Sequence, residues 1–152
     1  MGTVVGFFFA YAPALLPVKK LLITKEIAAV KHPVPSYPDH ILIVPRKIAR
    51  NVFCLNGSDI RNAIETAKKI VNNRGGYILL INGGDRQDVM QVHFHLFNAG
   101  EQMGDQIKTA PELYGENFAA RLRDFLIESN ISEESFSLAF VLDDAGDGFF
   151  IK

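Results

Sequence analysis

Two hydrophobic periods alternate along the chain, and the switches between them mark its elements. Residues 4–11 are an unbroken apolar run that predicts a buried strand, and residues 21–30 are rich in branched side chains. The proline cluster at 32–38 predicts an extended loop, followed by a strand over 40–44 that stops at Pro45. From Ser58, read as a helix cap, Ile60, Ala63, Ile64, Ala67, Ile70 and Val71 recur at three and four, giving one core-facing stripe that Arg74-Gly75-Gly76 ends. Residues 77–81 predict a short strand closed by an Asn82-Gly83-Gly84-Asp85 turn. Over 89–97 the period is two, with Met90, Val92, Phe94 and Leu96 on one face and Gln91, His93 and His95 on the other. An amphipathic helix at 116–128, a strand at 135–142, a tight connection through Asp143, Asp144 and Asp147, and a last strand at 149–151 complete the pattern. Strands joined by hairpin-length loops predict an α+β fold, its sheet mostly antiparallel with the helices on one face.

Composition narrows the function classes. At 152 residues, 48% hydrophobic and 22% charged, the chain suits one globular domain. A net charge of -1 gives no global field toward nucleic acid or anionic lipid. The charge is nevertheless unevenly spread: residues 1–80 hold 11 basic and 4 acidic side chains, residues 81–152 hold 5 and 13. An anionic ligand is drawn to the first half. One cysteine, Cys54, excludes an internal disulfide and fits a reducing compartment such as the cytoplasm, with the thiol expected in the core. The apolar stretch at 3–18 lacks a basic flank, contains Pro13 and Pro17, and is too short to span a bilayer. Asp143, Asp144 and Asp147 lack the spacing of a calcium loop and read as turn residues.

The polar face of 89–97 is where chemistry is expected. His93 and His95, two apart on a strand, can act on one small ligand while Phe94 anchors the strand beneath. Three readings fit the residues alone. They are a solvated polar face, a metal site completed by His40 or His32, and an imidazole pair acting as nucleophile and phosphate ligand.

The wider context resembles the histidine triad (HIT) family. The residues that carry the resemblance are Asp39-His40-Ile41-Leu42-Ile43-Val44-Pro45-Arg46-Lys47, then the helix, Ile81-Asn82-Gly83-Gly84, and Gln87 through to Phe97. The family pattern is a Pro-Gly-His strand ending in Pro, an Asn-x-Gly turn, then Gly-Gln-Ser and three alternating histidines, and the match spans residues 21–104 in order. The resemblance implies a HIT-like α+β fold with a sheet of about five antiparallel strands, usually a homodimer. It also implies hydrolysis or transfer of nucleoside monophosphates through a nucleotidyl-histidine, with no metal or cofactor, no nucleic acid and no membrane partner. By position, His93 is the nucleophile, His95 a phosphate ligand, His40 the histidine of the neighbouring strand and Asn82 an amide near the scissile bond. His32, with Val30 and Pro33 beside it, and Gln87 and Arg86 are the candidate nucleotide contacts.

The chain departs from that pattern at five positions. Gln91 stands where the first histidine belongs and could still hydrogen-bond in support of the nucleophile. Asp88 replaces a donating serine, and an ionised carboxylate accepts but does not donate and repels phosphate unless it pairs with His95, is protonated or is offset by Arg86. His32 replaces the usual acidic residue or asparagine for ribose, Asp39 the glycine before His40, and Arg86 the glycine before Gln87. These changes keep open a second reading, a non-catalytic nucleotide-binding module with a degenerate triad. The organisation expected is an N-terminal strand extension (1–20), the HIT-like core (21–104) and a C-terminal helix and hairpin packed on it (105–152).

Overall fold

The computed structural model describes residues 19–72, 74–100, 108–109, 113, 115–142 and 148–152. The strand expected at 4–11 and the aspartate connection at 143–147 lie outside them. Among the described residues, eight strands form one sheet: β1 (Lys20–Ile23), β2 (Ile27–Lys31), β3 (Ile41–Pro45), β4 (Tyr77–Gly84), β5 (Phe94–Asn98), β6 (Lys108–Thr109), β7 (Ser135–Val141) and β8 (Gly148–Ile151). Their spatial order is β1-β2-β3-β5-β4-β7-β8-β6, and every pairing is antiparallel. The strands read at 40–44, 77–81 and 89–97 are β3, β4 and β5, the last starting only at Phe94, and the branched stretch at 21–30 divides into β1 and β2 of this sheet. The C-terminal segment widens it by adding β7 against β4.

Helix α1 (Gly57–Val71) and helix α2 (Phe118–Glu128) cover one face. Ile60, Ala63, Ile64, Ala67 and Val71 of α1 and Phe118, Leu122, Phe125 and Leu126 of α2 join Ile43, Leu79, Ile81, Phe94, Leu96, Phe136 and Phe140 in one core. The opposite face carries two smaller apolar clusters, Val30 with Leu42 and Val44, and Ile78 with Phe97, Ala139, Val141 and Phe150.

Local chemistry corrects several sequence-based expectations. The α1 cap is Asn56, whose side chain accepts from the Asp59 amide while Asp59 accepts from the Asn56 amide; this capping box leaves Ser58 inside the helix. The helix ends at Asn72 in the left-handed region, ahead of the Arg-Gly-Gly stretch. Residues 82–84 do not form a turn. They continue β4 and pair with Ser137, Phe136 and Ser135, because β7 supplies the partner that the sequence pattern alone did not. Gly83 leaves room for Phe136: a Cβ there would lie 2.2 Å from the ring. Cys54, expected in the core, is exposed on a 3-10 turn (Val52–Cys54), its Sγ 3.6 Å from Asn51 Oδ1.

Asp39, standing where a glycine is usual, has φ +52°, a region glycine enters freely and most residues do not. Its carboxylate accepts from the Tyr77 hydroxyl at 2.8 Å and lies 3.8 Å from Arg74, contacts a glycine would not make. Asp39 makes the turn into β3 in this conformation.

Candidate functional site

The register of β3, β5 and β4 builds the site on the face away from the helices. His95 pairs with Leu42 on one side and Leu80 on the other, and pairing ends at Phe94, so His93 stands just before the strand. The two rings pack edge to face with centroids 4.9 Å apart, closer than the ~7 Å set by the backbone. A cleft of about 450 Å³ opens here, lined by His32, Leu42, Val44, Asp88, Val89, Gln91, His93 and His95.

Backbone contacts fix the imidazole tautomers. His93 Nδ1 lies 3.0 Å from the Gln91 carbonyl oxygen, which can only accept, so in the neutral ring Nδ1 carries the proton and Nε2 the lone pair. His40 is wired in the opposite sense. The Ser36 N–H donates to its Nδ1 at 3.2 Å, which places the proton on Nε2. His40 Nε2 then donates to His95 Nδ1 at 2.8 Å, leaving His95 Nε2–H as a donor. His32, stacked on His40 at 4.2 Å, accepts the Val34 N–H at its own Nδ1 and also keeps Nε2–H.

His95, His40 and His32 are held neutral at pH 7. Burial, followed by His93, His40 and His32, pushes His95 down to about 3; burial, His32 and His93 push His40 down to about 4. His32 is lowered by burial and by His93. One imidazole therefore offers a lone pair and its neighbours offer N–H groups.

His32, His40 and His95 also bring ring nitrogens within 4.8 Å of one another, the outline of a three-imidazole metal site. The backbone opposes that use. Ligation through Nε2 of a neutral His32 or His40 would move a proton onto Nδ1, against the Val34 and Ser36 N–H groups. The hydrogen bonds suit donation to an anion.

The other sequence-predicted residues divide. Gln91 is buried, and its amide is fully engaged: Nε2 donates to the carbonyls of Pro45 and Lys47, and Oε1 accepts from the Ala49 N–H. It supports His93 through its main chain and not through its side chain. Asp88 is exposed on the cleft lining; it pairs with neither His95, which is bonded to His40, nor Arg86. Arg86 instead donates to Ser135 Oγ, Ser137 Oγ and the Lys152 carbonyl. Gln87 donates to the Arg50 and Val89 carbonyls and lines a neighbouring groove, away from the histidine cleft. Val30 lies beneath the cleft with Leu42 and Val44, and Pro33 is exposed beside His32.

Asn82 belongs to this face. It lies two residues beyond Leu80, the partner of His95, and accepts from Ser137 Oγ at 2.7 Å. Ser137 was not anticipated. Its signal was the alternation Ser135-Phe136-Ser137, which places two hydroxyls on one strand face.

Comparison with known proteins agrees with this architecture. The chain is 32% identical over 91 residues to an uncharacterized HIT-like protein of Buchnera aphidicola, covering 54% of this chain and 81% of that protein. The crystal structure of a HIT family hydrolase from Legionella pneumophila is 26% identical, with TM-score 0.53, covering 64% of this chain and 96% of the other. A HIT family hydrolase from Clostridium thermocellum is 27% identical, with TM-score 0.56, covering 70% and 96%. The fold of yeast Ap4A phosphorylase in complex with AMP, 14% identical with TM-score 0.60, covers 97% of this chain and 63% of that one, so it embraces the C-terminal strands as well. The HIT domain model matches residues 16–102, and with that span on a sheet of this topology the chain belongs to the HIT family.

Proposed function

We propose that the protein is a nucleotidyl hydrolase or transferase that attacks the α-phosphorus of a nucleoside 5'-phosphate derivative with His93. The observation that carries the reading is the His93 tautomer: Nδ1–H is held by the Gln91 carbonyl, so Nε2 presents its lone pair beside the cleft. The two HIT family hydrolases at 26% and 27% identity lend support to hydrolytic chemistry.

The remaining roles follow from the wiring. The nucleoside lies on the apolar strip of Leu42 and Val44, with His32 Nε2–H available to a ribose hydroxyl. Nε2 of His93 forms a bond to phosphorus as the phosphorus–leaving-group bond breaks, giving a nucleotidyl-histidine that water or an acceptor then cleaves. His95 Nε2–H donates to a non-bridging oxygen as charge accumulates there, and Asn82 offers its amide near the leaving group. His40 acts through His95. Two such subunits form a homodimer in this proposal, and the protein works in the cytoplasm; among the described residues no helix is long and apolar enough to cross a membrane.

Asp88 favours a second reading. An exposed carboxylate on the cleft lining, with no cation beside it among the described residues, repels phosphate and fits a module that binds nucleotide without turning it over. Turnover of adenosine and guanosine phosphoramidates and dinucleoside polyphosphates, with chelator present, separates the two. Nucleoside monophosphate released by wild type and not by His93→Ala supports the enzyme. Equal nucleotide binding by both proteins without turnover supports the module.

A further inference from the structure

We propose that Ser137 and Arg86 are positioning residues that hold the Asn82 side-chain amide in one orientation, with its Nδ2–H groups turned to the substrate phosphates. The inference rests on the reading of this face as a nucleotidyl-transfer site. It gives the C-terminal strand β7 a part in that site, although the family match ends at residue 102.

An asparagine amide can present either its oxygen or its nitrogen to a given neighbour, and a hydroxyl partner accepts both arrangements. Ser137 alone would therefore leave Asn82 free to flip. Arg86 removes the ambiguity. A guanidinium only donates, and its Nη1 donates to Ser137 Oγ at 3.1 Å. A flipped amide would have the hydroxyl accept from both Arg86 and Asn82 and leave its own proton without an acceptor among the described hydrogen bonds; as the chain stands that proton goes to Asn82 Oδ1 at 2.7 Å, which keeps the oxygen on the β7 side and turns Nδ2 the other way. Arg86 is itself fixed by Ser135 Oγ at 3.2 Å and the Lys152 carbonyl at 3.3 Å. The ends of β7 and β8 are locked together by reciprocal Ser137 and Lys152 main-chain bonds at 2.9 and 3.0 Å.

The sheet places this chain of donors beside the nucleophile. Asn82 pairs with Ser137 across β4 and β7, and the β4 and β5 ladder runs to Ile81 opposite Phe94, so the next residue on each strand is Asn82 and His93. Ser137 is 9% exposed, which shields the bond from water. A flipped Asn82 would turn its carbonyl oxygen toward the phosphate and repel it. Orientation of this amide is therefore a difference between a donor and an acceptor where charge develops.

The test is a double-mutant cycle with Ser137 and Asn82, read in steady-state kinetics on a nucleoside phosphoramidate and by side-chain amide NMR on the uniformly labelled protein. Ser137→Ala is expected to lower kcat about tenfold with KM within about twofold, and Ser137→Thr to restore it. In an Asn82→Ala background the same Ser137→Ala change is expected to cost less than about twofold. Equal losses in both backgrounds would overturn the proposal. In the NMR arm, AMP is expected to shift the Asn82 Nδ2 protons in wild type and to shift them less in Ser137→Ala and Arg86→Ala. Asn82 protons indifferent to saturating AMP, or unchanged by both substitutions, would sink the positioning role even if turnover is present. Should no variant or wild type release nucleotide, the enzyme reading fails, and the NMR arm still decides whether Ser137 orients Asn82.

Discussion

Replacing Gly83 with alanine tests the close approach that brings β7 against β4. The added Cβ would sit 2.2 Å from Cε1 and Cζ of Phe136 and 2.9 Å from Cδ1. Carbon pairs need about 3.5 Å, so the ring would have to retreat by roughly 1.3 Å. Phe136 is fully buried in the main core, with the Phe53 ring centroid 5.7 Å away. Overpacking of this kind costs about 1–3 kcal/mol. Urea denaturation of Gly83→Ala should show that loss as a lower midpoint at unchanged slope. Phe136→Ala alone should cost about 3–5 kcal/mol, and the double variant no more than Phe136→Ala, because the new methyl then fills part of the hole. A Gly83→Ala protein within 0.5 kcal/mol of wild type, or strictly additive effects, would show that β4 and β7 separate without cost and that the packing argument is wrong.

His40 and His95 should remain neutral from pH 7 to pH 5, seen in imidazole NMR as Nδ1 unprotonated on both; titration near 6.5 would contradict the wiring. Because their folded values of about 4 and about 3 lie below the ordinary 6.5, the unfolded chain binds more protons between them. Their contribution to stability is therefore complete above about pH 6.5 and is lost as pH falls toward 4 and 3, which denaturation at stepped pH would record. His95→Ala should cost about 10²–10³ in kcat, the loss of one phosphate donor. His40→Ala should cost less, since His95 then divides between tautomers and does not disappear; a reversed order would show that His40 contacts substrate itself. Asp88→Ser should tighten AMP binding five- to tenfold by calorimetry, since a dianion ~7 Å from a carboxylate in a water-like dielectric feels roughly 1 kcal/mol of repulsion.

The sequence carried the elements whose signal is periodic. The α1 stripe and the part of the 89–97 alternation that forms β5 were legible because each turns one face to the main core, and the strand ending at Pro45 was legible as an unbroken apolar run, buried on both faces. The cap at Asn56 was hidden by Ser58, an equally good capping residue two positions on. The course of β4 through Gly84 was not legible, because two glycines read as a turn until β7 lies alongside and Phe136 fills the space over Gly83. The site split in the same way. His93, His95 and His40 stood out as residue types at a spacing. The directions of their protons did not, since they depend on main-chain groups at Gln91, Ser36 and Val34 that have no side-chain signature. Arg86 and Ser137, 51 residues apart, meet only after the sheet has formed.

Under the proposed mechanism, position 91 orients the nucleophile through its main chain. The acceptor that fixes His93 is the carbonyl of residue 91, which every side chain shares. The amide performs a separate task, holding Pro45, Lys47 and Ala49 where β3 leads toward α1. The two tasks separate in Gln91→Ala. Deleting the amide leaves buried main-chain groups without partners, at a cost on the order of 2–3 kcal/mol, or roughly 5–10 °C in Tm for a domain of this size. The His93 tautomer is retained, so kcat measured well below the transition should stay within a few-fold of wild type. A Gln91→Ala protein with wild-type Tm and kcat lowered a hundredfold would reverse the assignment, placing the side chain in the chemistry and the carbonyl outside it.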